Sequence, residues 1–131
     1  MINYQVNPPV NPIDVAELYR DSGINRPFGN IERISQMVNN ADLIVTAMDD
    51  DVLVGIARAL TDWCYCCYLS DLAVAHKYQH AGIGSALLQR VTAEIGDSVT
   101  LVVVAAPDSH SFYERMGLTL TDQAFLRRRK R

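Results

Sequence analysis

The sequence predicts an α/β fold in a single domain, and three observations support this prediction. Runs with β-type and helical hydrophobic spacing alternate along the chain. A β-type run at residues 68–75 leads into a glycine pair that opens an amphipathic helix. The 131 residues, of which 49% are hydrophobic and 21% charged, suit one domain with one substantial core.

The first half of the chain predicts one strand, two helices and a β-hairpin. The Pro8-Pro9 and Asn11-Pro12 pairs are breakers that end the first strand. Apolar residues then recur at helical spacing up to Ser22-Gly23, which closes a helix. Asp49-Asp50-Asp51 joins two β-type runs, as in a hairpin. We expect these elements, in order, at residues 2–6, 14–21, 31–39, 43–48 and 52–59.

The second half predicts a strand, a long helix, a buried strand, a short helix and two late strands. The run around Leu101-Val102-Val103-Val104 is apolar throughout, so we expect it to be buried on both faces. Asp108 is a typical cap for the short helix, and Gly117 is a typical terminator. These elements are expected at residues 65–75, 82–95, 98–105, 108–117, 118–120 and 124–128.

Gly82 and Gly84 mark a candidate anion site at the start of the long helix. The helix is amphipathic, with Ile83, Leu87 and Leu88 among its apolar positions. Its first turn must present unpaired backbone N–H groups and the positive end of the helix dipole. Glycine lets a ligand approach the backbone closely. The pattern therefore indicates binding of an anion, most naturally a phosphate.

Two segments resemble motifs of the GNAT-type N-acetyltransferases. Gln79-x-x-Gly82-x-Gly84 is similar to the Arg/Gln-x-x-Gly-x-Gly/Ala motif that binds acyl-CoA in that family. The segment Ser111-Phe112-Tyr113-Glu114-Arg115-Met116-Gly117-Leu118 is similar to the family's Phe-Tyr-Glu-Lys-x-Gly-Phe segment. Both occur in the family's order, with a β-run between them. The resemblance implies the GNAT acyl-CoA N-acyltransferase fold: a mixed, mostly antiparallel sheet with about four helices and splayed strands at the CoA site.

The resemblance also implies an activity: transfer of acetyl from acetyl-CoA to a primary amine by direct attack in a ternary complex, without a metal. The pantetheine amides would pair with backbone groups of Leu72 and Val74, and the pyrophosphate would meet the N–H groups of residues 79–84. The residues assigned to CoA in this way are Leu72, Ala73, Val74, Gln79, His80, Ala81, Gly82, Ile83, Gly84, Ser85, Ser109 and Phe112. The alternative is a catalytically silent acyl-CoA-binding or regulatory module of the same fold.

Two side chains are the candidate catalytic residues. In the family, a tyrosine at the position of Tyr113 lies near the CoA sulfur and can protonate the departing thiolate as a general acid. Its alternative role is only to pack with Phe112 against the sheet. Asp71 is the candidate general base, since residues 69, 71 and 73 would share a strand face opposite Leu72 and Val74. Its alternative role is to fix a bulge or to contact the Asn25-Arg26 loop.

The chain departs from the family pattern at three positions near these motifs. His80 stands where the extended motif has glycine, Ala106 where an asparagine is common, and Ser109 where alanine is usual. These differences bear on the fine contacts to CoA and leave an altered acyl donor as an alternative. We expect acceptor specificity to come from the loop at residues 22–29, the turn at residues 61–63 and the C-terminal strands.

Charge and cysteine content restrict the partners. Residues 127–131 supply five of the twelve basic side chains, which leaves seven basic against fifteen acidic, a net −8, for the rest of the chain. An acidic body favours a cationic amine and disfavours nucleic acid, although the basic tail could contact RNA.

Cys64, Cys66 and Cys67 fit no metal-binding spacing and are expected to be buried thiols. Homodimers are common in the family, so the Cys-rich strand or C-terminal hairpin could support one.

The sequence shows no targeting or membrane signal. No apolar run approaches the roughly eighteen residues of a membrane span. The segment Met1-Ile2-Asn3-Tyr4-Gln5-Val6 lacks the basic and apolar regions of a signal peptide. The expected location is therefore the cytoplasm, with no membrane partner.

Overall fold

The computed structural model describes residues 1–131 and contains five strands and four α-helices. Two short 3₁₀ turns, at His76–Tyr78 and Pro107–Ser109, precede the last two helices. In chain order, the elements are β1 (Ile2–Val6), α1 (Pro12–Ser22), α2 (Ile31–Asn39), β2 (Leu43–Asp49), β3 (Val52–Thr61), β4 (Cys66–Val74), α3 (Ile83–Ile95), β5 (Thr100–Val103) and α4 (His110–Arg115). No helix is both long enough and apolar enough to span a lipid bilayer.

The strands form one mixed sheet in the order β1-β2-β3-β4-β5. The first four strands run antiparallel to their neighbours, whereas β4 and β5 are parallel. A parallel pair needs a crossover connection, and α3 provides it. The predicted mixed, mostly antiparallel sheet with four helices is therefore confirmed.

Helices cover both faces of the sheet, so the chain has an apolar cluster on each side. On one face, α3 packs Leu87, Leu88 and Val91 against β2, β3 and β4. On the other face, α1 and α2 pack around Tyr19 and Ile34. Strands buried on both faces must be apolar at successive positions. This explains why β2 and the middle of β3 are nearly continuous hydrophobic runs.

A β-bulge interrupts the pairing of β3 with β4. Arg58 pairs with Asp71, but the next residue, Ala59, pairs with Leu69, which leaves Ser70 as the extra residue. An extra residue shifts the alternation of side chains by one. Leu69 accordingly packs in the α3 cluster, while Ala73 packs in the α1 and α2 cluster. The expectation that residues 69, 71 and 73 share a face is wrong for this reason.

The first helix begins two residues earlier than predicted. Asn11 is its N-cap, and the Asn11 side chain accepts a hydrogen bond from the Ile13 N–H at 2.9 Å. Pro12 occupies the first helical position, where its missing N–H costs nothing. The Asn11-Pro12 pair therefore starts α1 rather than serving only to end β1. Gly23, with φ of 86°, ends the helix and opens the loop to α2.

The two late strands do not form, and residues 116–131 contain no helix or strand. Leu120 and Phe125 are 67% and 97% exposed. Phe125 and Leu126 are adjacent, so in a strand they would point to opposite faces, and the five residues that follow are all basic. Such a segment has too little one-sided apolar surface to offset the cost of ordering it.

The expectation of three buried cysteines is also wrong. Cys67 is buried, but Cys64 and Cys66 are exposed. Cys64 lies before β4, in a turn organised by Asp62, whose carboxylate accepts the backbone N–H groups of Cys64, Tyr65 and Cys66. These hydrogen bonds hold the pKa of Asp62 well below its ordinary value. Asp62 is thus a turn-forming residue.

Gly55 gives a test of how closely α3 packs on the sheet. A Cβ at this position would lie 3.1 Å from side-chain atoms of Ile83 and Leu87. We expect Gly55→Ala to lower the free energy of unfolding by about 1–3 kcal/mol, because a tightly packed contact must open. Urea denaturation measures this. Gly29→Ala is the matched control, since nothing lies within 4 Å of its Cβ position. Equal stability of the two variants would contradict the packing argument.

Candidate active site

The candidate site is a cleft where the sheet opens between β4 and β5. The last residue pair of these strands is Leu69 with Val103. Beyond this pair the strands diverge, as the resemblance implies, and a cavity of about 830 Å³ lies between them. The start of α3 and the short helix α4 border the cavity, and the loop after α1 closes one side. The backbone edge of β4 from Ser70 to Val74 therefore has no β5 partner.

The glycine loop presents free donors to this cavity. Gly82, with φ of 87°, is the N-cap of α3, and no side chain caps the helix. The first helical hydrogen bond runs from the Ala86 N–H to the Gly82 carbonyl, so the N–H groups of residues 83–85 have no helical partner. Gly84 places no side chain in the space between Val74 and Phe112. This end of the cavity can therefore bind an anion.

Two other residues of the glycine motif shape the loop through the backbone. The Gln79 side-chain amide donates to the carbonyls of Val74 and Ser22, at 2.9 and 3.2 Å. It thus ties the loop to the end of β4 and to α1. His80 has φ of 66°, in the left-handed region that favours glycine. The loop therefore keeps the conformation that glycine would adopt at this position, with a histidine in its place.

Asp71 lies beside the cavity in a buried cluster of charged and polar side chains. It is fully buried, and one carboxylate oxygen accepts hydrogen bonds from the Tyr19 hydroxyl at 2.6 Å and the Arg58 Nε at 2.5 Å. The other oxygen accepts from the Arg26 Nε at 2.5 Å. We call Asp71, Tyr19, Arg26 and Arg58 the Asp71 cluster. It joins β4 to α1, to β3 and to the loop after α1.

The protonation of the Asp71 cluster follows from these contacts. Burial alone would raise the pKa of Asp71. The hydrogen bonds and charges of Arg58, Tyr19 and Arg26 have the larger opposite effect, so the pKa of Asp71 lies below its usual range. Burial, reinforced by the negative charge of Asp71, raises the pKa of Tyr19 far above its ordinary value. Asp71 is therefore an anion and Tyr19 a neutral phenol at neutral pH.

These contacts fit the alternative role considered for Asp71, which pairs with the loop residue Arg26 and sits next to the bulge at Ser70. They disfavour its role as a general base. A carboxylate that is bonded through both oxygens, has a lowered pKa and does not line the cavity is poorly placed to take a proton from an amine. The general-base role remains a prediction from the sequence alone.

Tyr113 lies on α4, in the wall of the cavity. Its ring meets Phe112 edge-to-face, with centroids 5.0 Å apart and planes at 78°. Its hydroxyl makes no hydrogen bond within the protein. Burial raises the pKa of Tyr113, while the charge of Arg26 opposes this rise. The phenol therefore carries its proton at neutral pH and can donate it to a group in the cavity.

The cavity brings together most of the residues that the sequence indicated. Ten of the twelve candidate CoA residues line it, together with Tyr113. Ile83 instead faces the core, and Ala81 lies outside the lining. Residues 22–26, which belong to the predicted specificity loop at residues 22–29, also line the cavity. Sequence analysis missed Tyr19 and Arg58, although an arginine within an apolar strand signals a buried partner.

The Asp71 cluster gives a test in acid. We expect Asp71→Asn to lower the free energy of unfolding by about 3–5 kcal/mol at neutral pH, because the buried Arg58 and the partly buried Arg26 lose their anion. The pKa of folded Asp71 is lowered, so its stabilising charge is present above the unfolded pKa of about 4 and is lost as the pH falls further. The difference from wild type should therefore shrink below about pH 4.

Urea denaturation at several pH values measures this difference. Asp97→Asn is the matched control, because Asp97 is exposed at the end of α3 and we expect its loss to change stability by less than about 0.5 kcal/mol. A wild-type to Asp71→Asn difference that stays constant from neutral pH to pH 3 would contradict the assignment of an ionised Asp71.

Comparisons with known proteins agree with this geometry. A protein of Deinococcus radiodurans R1, described as a candidate acetyltransferase, is 29% identical, with a TM-score of 0.80 over 97% of this chain and 88% of that one. A GNAT-family acetyltransferase of Streptococcus pneumoniae TIGR4 is 26% identical, with a TM-score of 0.77 over 98% of this chain and 100% of that one.

A third structure shares the fold alone. An aminoglycoside N-acetyltransferase solved in complex with CoA is 16% identical, with a TM-score of 0.71 over 99% of this chain and 95% of that one. No curated protein matches the chain. The family model of the acetyltransferase (GNAT) domain, however, matches residues 15–129. The chain therefore belongs to the GNAT acetyltransferase family.

Proposed function

We propose that the protein transfers the acetyl group of acetyl-CoA to a primary amine by direct attack in a ternary complex. One observation carries this proposal. A single cavity is lined by the free N–H groups of α3, the unpaired edge of β4 and the proton-bearing phenol of Tyr113. These are the groups needed to hold a phosphorylated thioester and to receive its leaving group.

The cavity offers two kinds of backbone contact to CoA. The N–H groups at the start of α3 suit the pyrophosphate, and Gly82 and Gly84 let it approach. The edge of β4 at Leu72–Val74 suits the pantetheine amides, which can pair with it as an added strand would. The aminoglycoside N-acetyltransferase of this fold was solved with CoA, which supports the same cosubstrate here.

The chemistry requires few side chains. The neutral amine attacks the thioester carbonyl carbon, a C–N bond forms and the C–S bond breaks. The leaving thiolate takes the proton of the Tyr113 phenol and the nitrogen loses its proton to water. A proton from water then returns to the Tyr113 phenolate, which regenerates the acid. Holding the two substrates together supplies much of the rate, because the attack becomes effectively unimolecular. Tyr113 then supplies general acid catalysis, since its raised pKa keeps the phenol protonated at neutral pH.

Tyr113→Phe tests the general acid. We expect kcat to fall by a factor of about 10²–10⁴, because the departing thiolate loses its proton donor. The ring contact with Phe112 is kept, so the Kd of acetyl-CoA should not change. A thiol-release assay measures turnover, and calorimetry measures binding. Tyr65→Phe is the control, since Tyr65 is 76% exposed and lies outside the cavity. Unchanged kcat in Tyr113→Phe would exclude this role.

Gly82→Ala tests the anion site. Its φ of 87° is strained for alanine by roughly 1–2 kcal/mol, although space is available for the Cβ. Relaxation of this strain would turn the N–H groups away, so we expect acetyl-CoA to bind about tenfold more weakly. Gly96→Ala is the matched control, with φ of 80° at the other end of α3. Gly96→Ala should lose thermal stability but keep its affinity for acetyl-CoA. Equal acetyl-CoA affinities of the Gly82→Ala and Gly96→Ala variants would mean that the phosphates bind elsewhere.

A catalytically silent acyl-CoA-binding module is the second candidate. It is favoured by the hydrogen bonds of Asp71 within its cluster, which disfavour the one side chain that the sequence predicted as the general base. The two candidates differ in turnover and not in binding. Acetylation of any amine by the wild type, lost in Tyr113→Phe, would exclude the silent module. Acetyl-CoA binding without turnover of any amine would support it.

A further inference from the structure

Arg26 is a cavity residue whose position is fixed by its neighbours. It lies on the loop between α1 and α2, and its side chain is 25% exposed. Its guanidinium donates to the Asp71 carboxylate at 2.5 Å, to the Ser70 carbonyl at 2.6 Å and to the Asn25 carbonyl at 2.7 Å. These contacts use three of its five N–H groups, so two remain to bind a further acceptor of hydrogen bonds.

The Asp71 cluster leaves one positive charge without an anion. Asp71 is the only carboxylate in the cluster, and both Arg58 and Arg26 are paired with it. Tyr19 stays neutral because burial and the charge of Asp71 raise its pKa. The cluster therefore has a net charge of +1. Arg58 is 9% exposed and does not line the cavity, so Arg26 is the member that presents this charge to it.

Arg26 lies on a different chain segment from the residues that we assign to the CoA phosphates. Arg26 belongs to the loop after α1, whereas the free N–H groups belong to the start of α3. It is near enough to Tyr113 for its charge to oppose the rise in the pKa of that phenol. Tyr113 is the group that we place at the reacting sulfur. A guanidinium at this end of the cavity would therefore meet the amine acceptor.

We propose that Arg26 binds a carboxylate on the acceptor, so that the amines acetylated are amino acids. The proposal rests on the proposed function. A guanidinium already held by Asp71 and two carbonyls loses little freedom on binding, and it can form charge-assisted hydrogen bonds with a carboxylate. The overall acidity of the chain suggested a cationic acceptor. The cavity wall instead carries Arg26 and Arg115 against the single carboxylate of Asp108.

Matched acceptors test the proposal. Glycine and alanine are compared with glycinamide and alaninamide, with putrescine as a cationic amine, and each rate is corrected for the fraction of neutral amine. We expect kcat/KM to be at least about tenfold higher for each amino acid than for its amide, since a charged partner forms the stronger hydrogen bond. Wild-type protein that prefers the amides or putrescine would overturn the proposal while leaving acetyl transfer established.

Variants assign the preference to Arg26. Arg26→Gln should remove this preference by raising KM for the amino acids more than for the amides. Arg26→Lys keeps the charge without the planar fork and should retain part of the preference. Arg20→Gln is the control, because Arg20 is exposed on α1, pairs with Glu17 and lies outside the cavity. Full preference in a folded Arg26→Gln variant would overturn the proposal.

Binding measurements separate this proposal from the proposed function. Glycine and glycinamide are titrated into protein saturated with CoA, and ligand-observed NMR reports binding without turnover. Tighter binding of glycine, lost in Arg26→Gln, would support the carboxylate site even if no amine were acetylated. Equal binding of the two ligands would overturn it. A weaker acetyl-CoA affinity in Arg26→Gln, with the acceptor preference unchanged, would mean that Arg26 serves a CoA phosphate instead.

Discussion

One buried carboxylate, that of Asp71, connects the elements that form the cavity. It lies on β4 and accepts hydrogen bonds from Tyr19 on α1, from Arg58 on β3 and from Arg26 on the loop that follows α1. A charge removed from water costs several kcal/mol unless it is paired and bonded, so these elements must keep their relative positions. The cluster lies beside the bulge at Ser70, next to the last residue pair between β4 and β5. The opening of the sheet and the closure of the cavity by the loop thus have a common anchor.

The local charge of the cavity differs from that of the whole chain. The sequence has a formal net charge of −3, and its acidity suggested an attraction for cations. Acidic residues such as Asp50, Asp51 and Asp97 are exposed in turns and at helix ends. Solvent and salt screen such charges within about 10 Å. The field in a partly buried cavity is therefore set by the few groups in its wall, and net charge is a poor guide to the ligand.

Much of the fold and of the CoA side of the cavity could be predicted from the sequence, because the signals are local. Hydrophobic spacing gave the five strands of the sheet, and the glycine pair marked the start of α3. The bulge at Ser70 could not be predicted, since an alternating pattern does not reveal an inserted residue. An Asn-Pro pair can either end a strand or begin a helix, and the two cases look the same in the sequence. Only the N-cap geometry shows that Asn11-Pro12 begins α1. Arg58 and Asp71 are opposite charges within buried strands, and this pattern in the sequence does indicate that the two side chains pair with each other.

The bond between Arg26 and Asp71 limits how this chain can change its specificity during evolution. The candidate CoA residues all lie within residues 72–112, whereas another part of the cavity wall comes from the separate loop at residues 22–26. Such a division normally lets a loop drift freely while the rest of the protein is conserved. Here a substitution of Arg26 also leaves a fully buried anion with one cation fewer. A new acceptor preference would therefore have to arise together with a compensating change around Asp71. Acceptor specificity and the stability of the fold are coupled through this one residue pair.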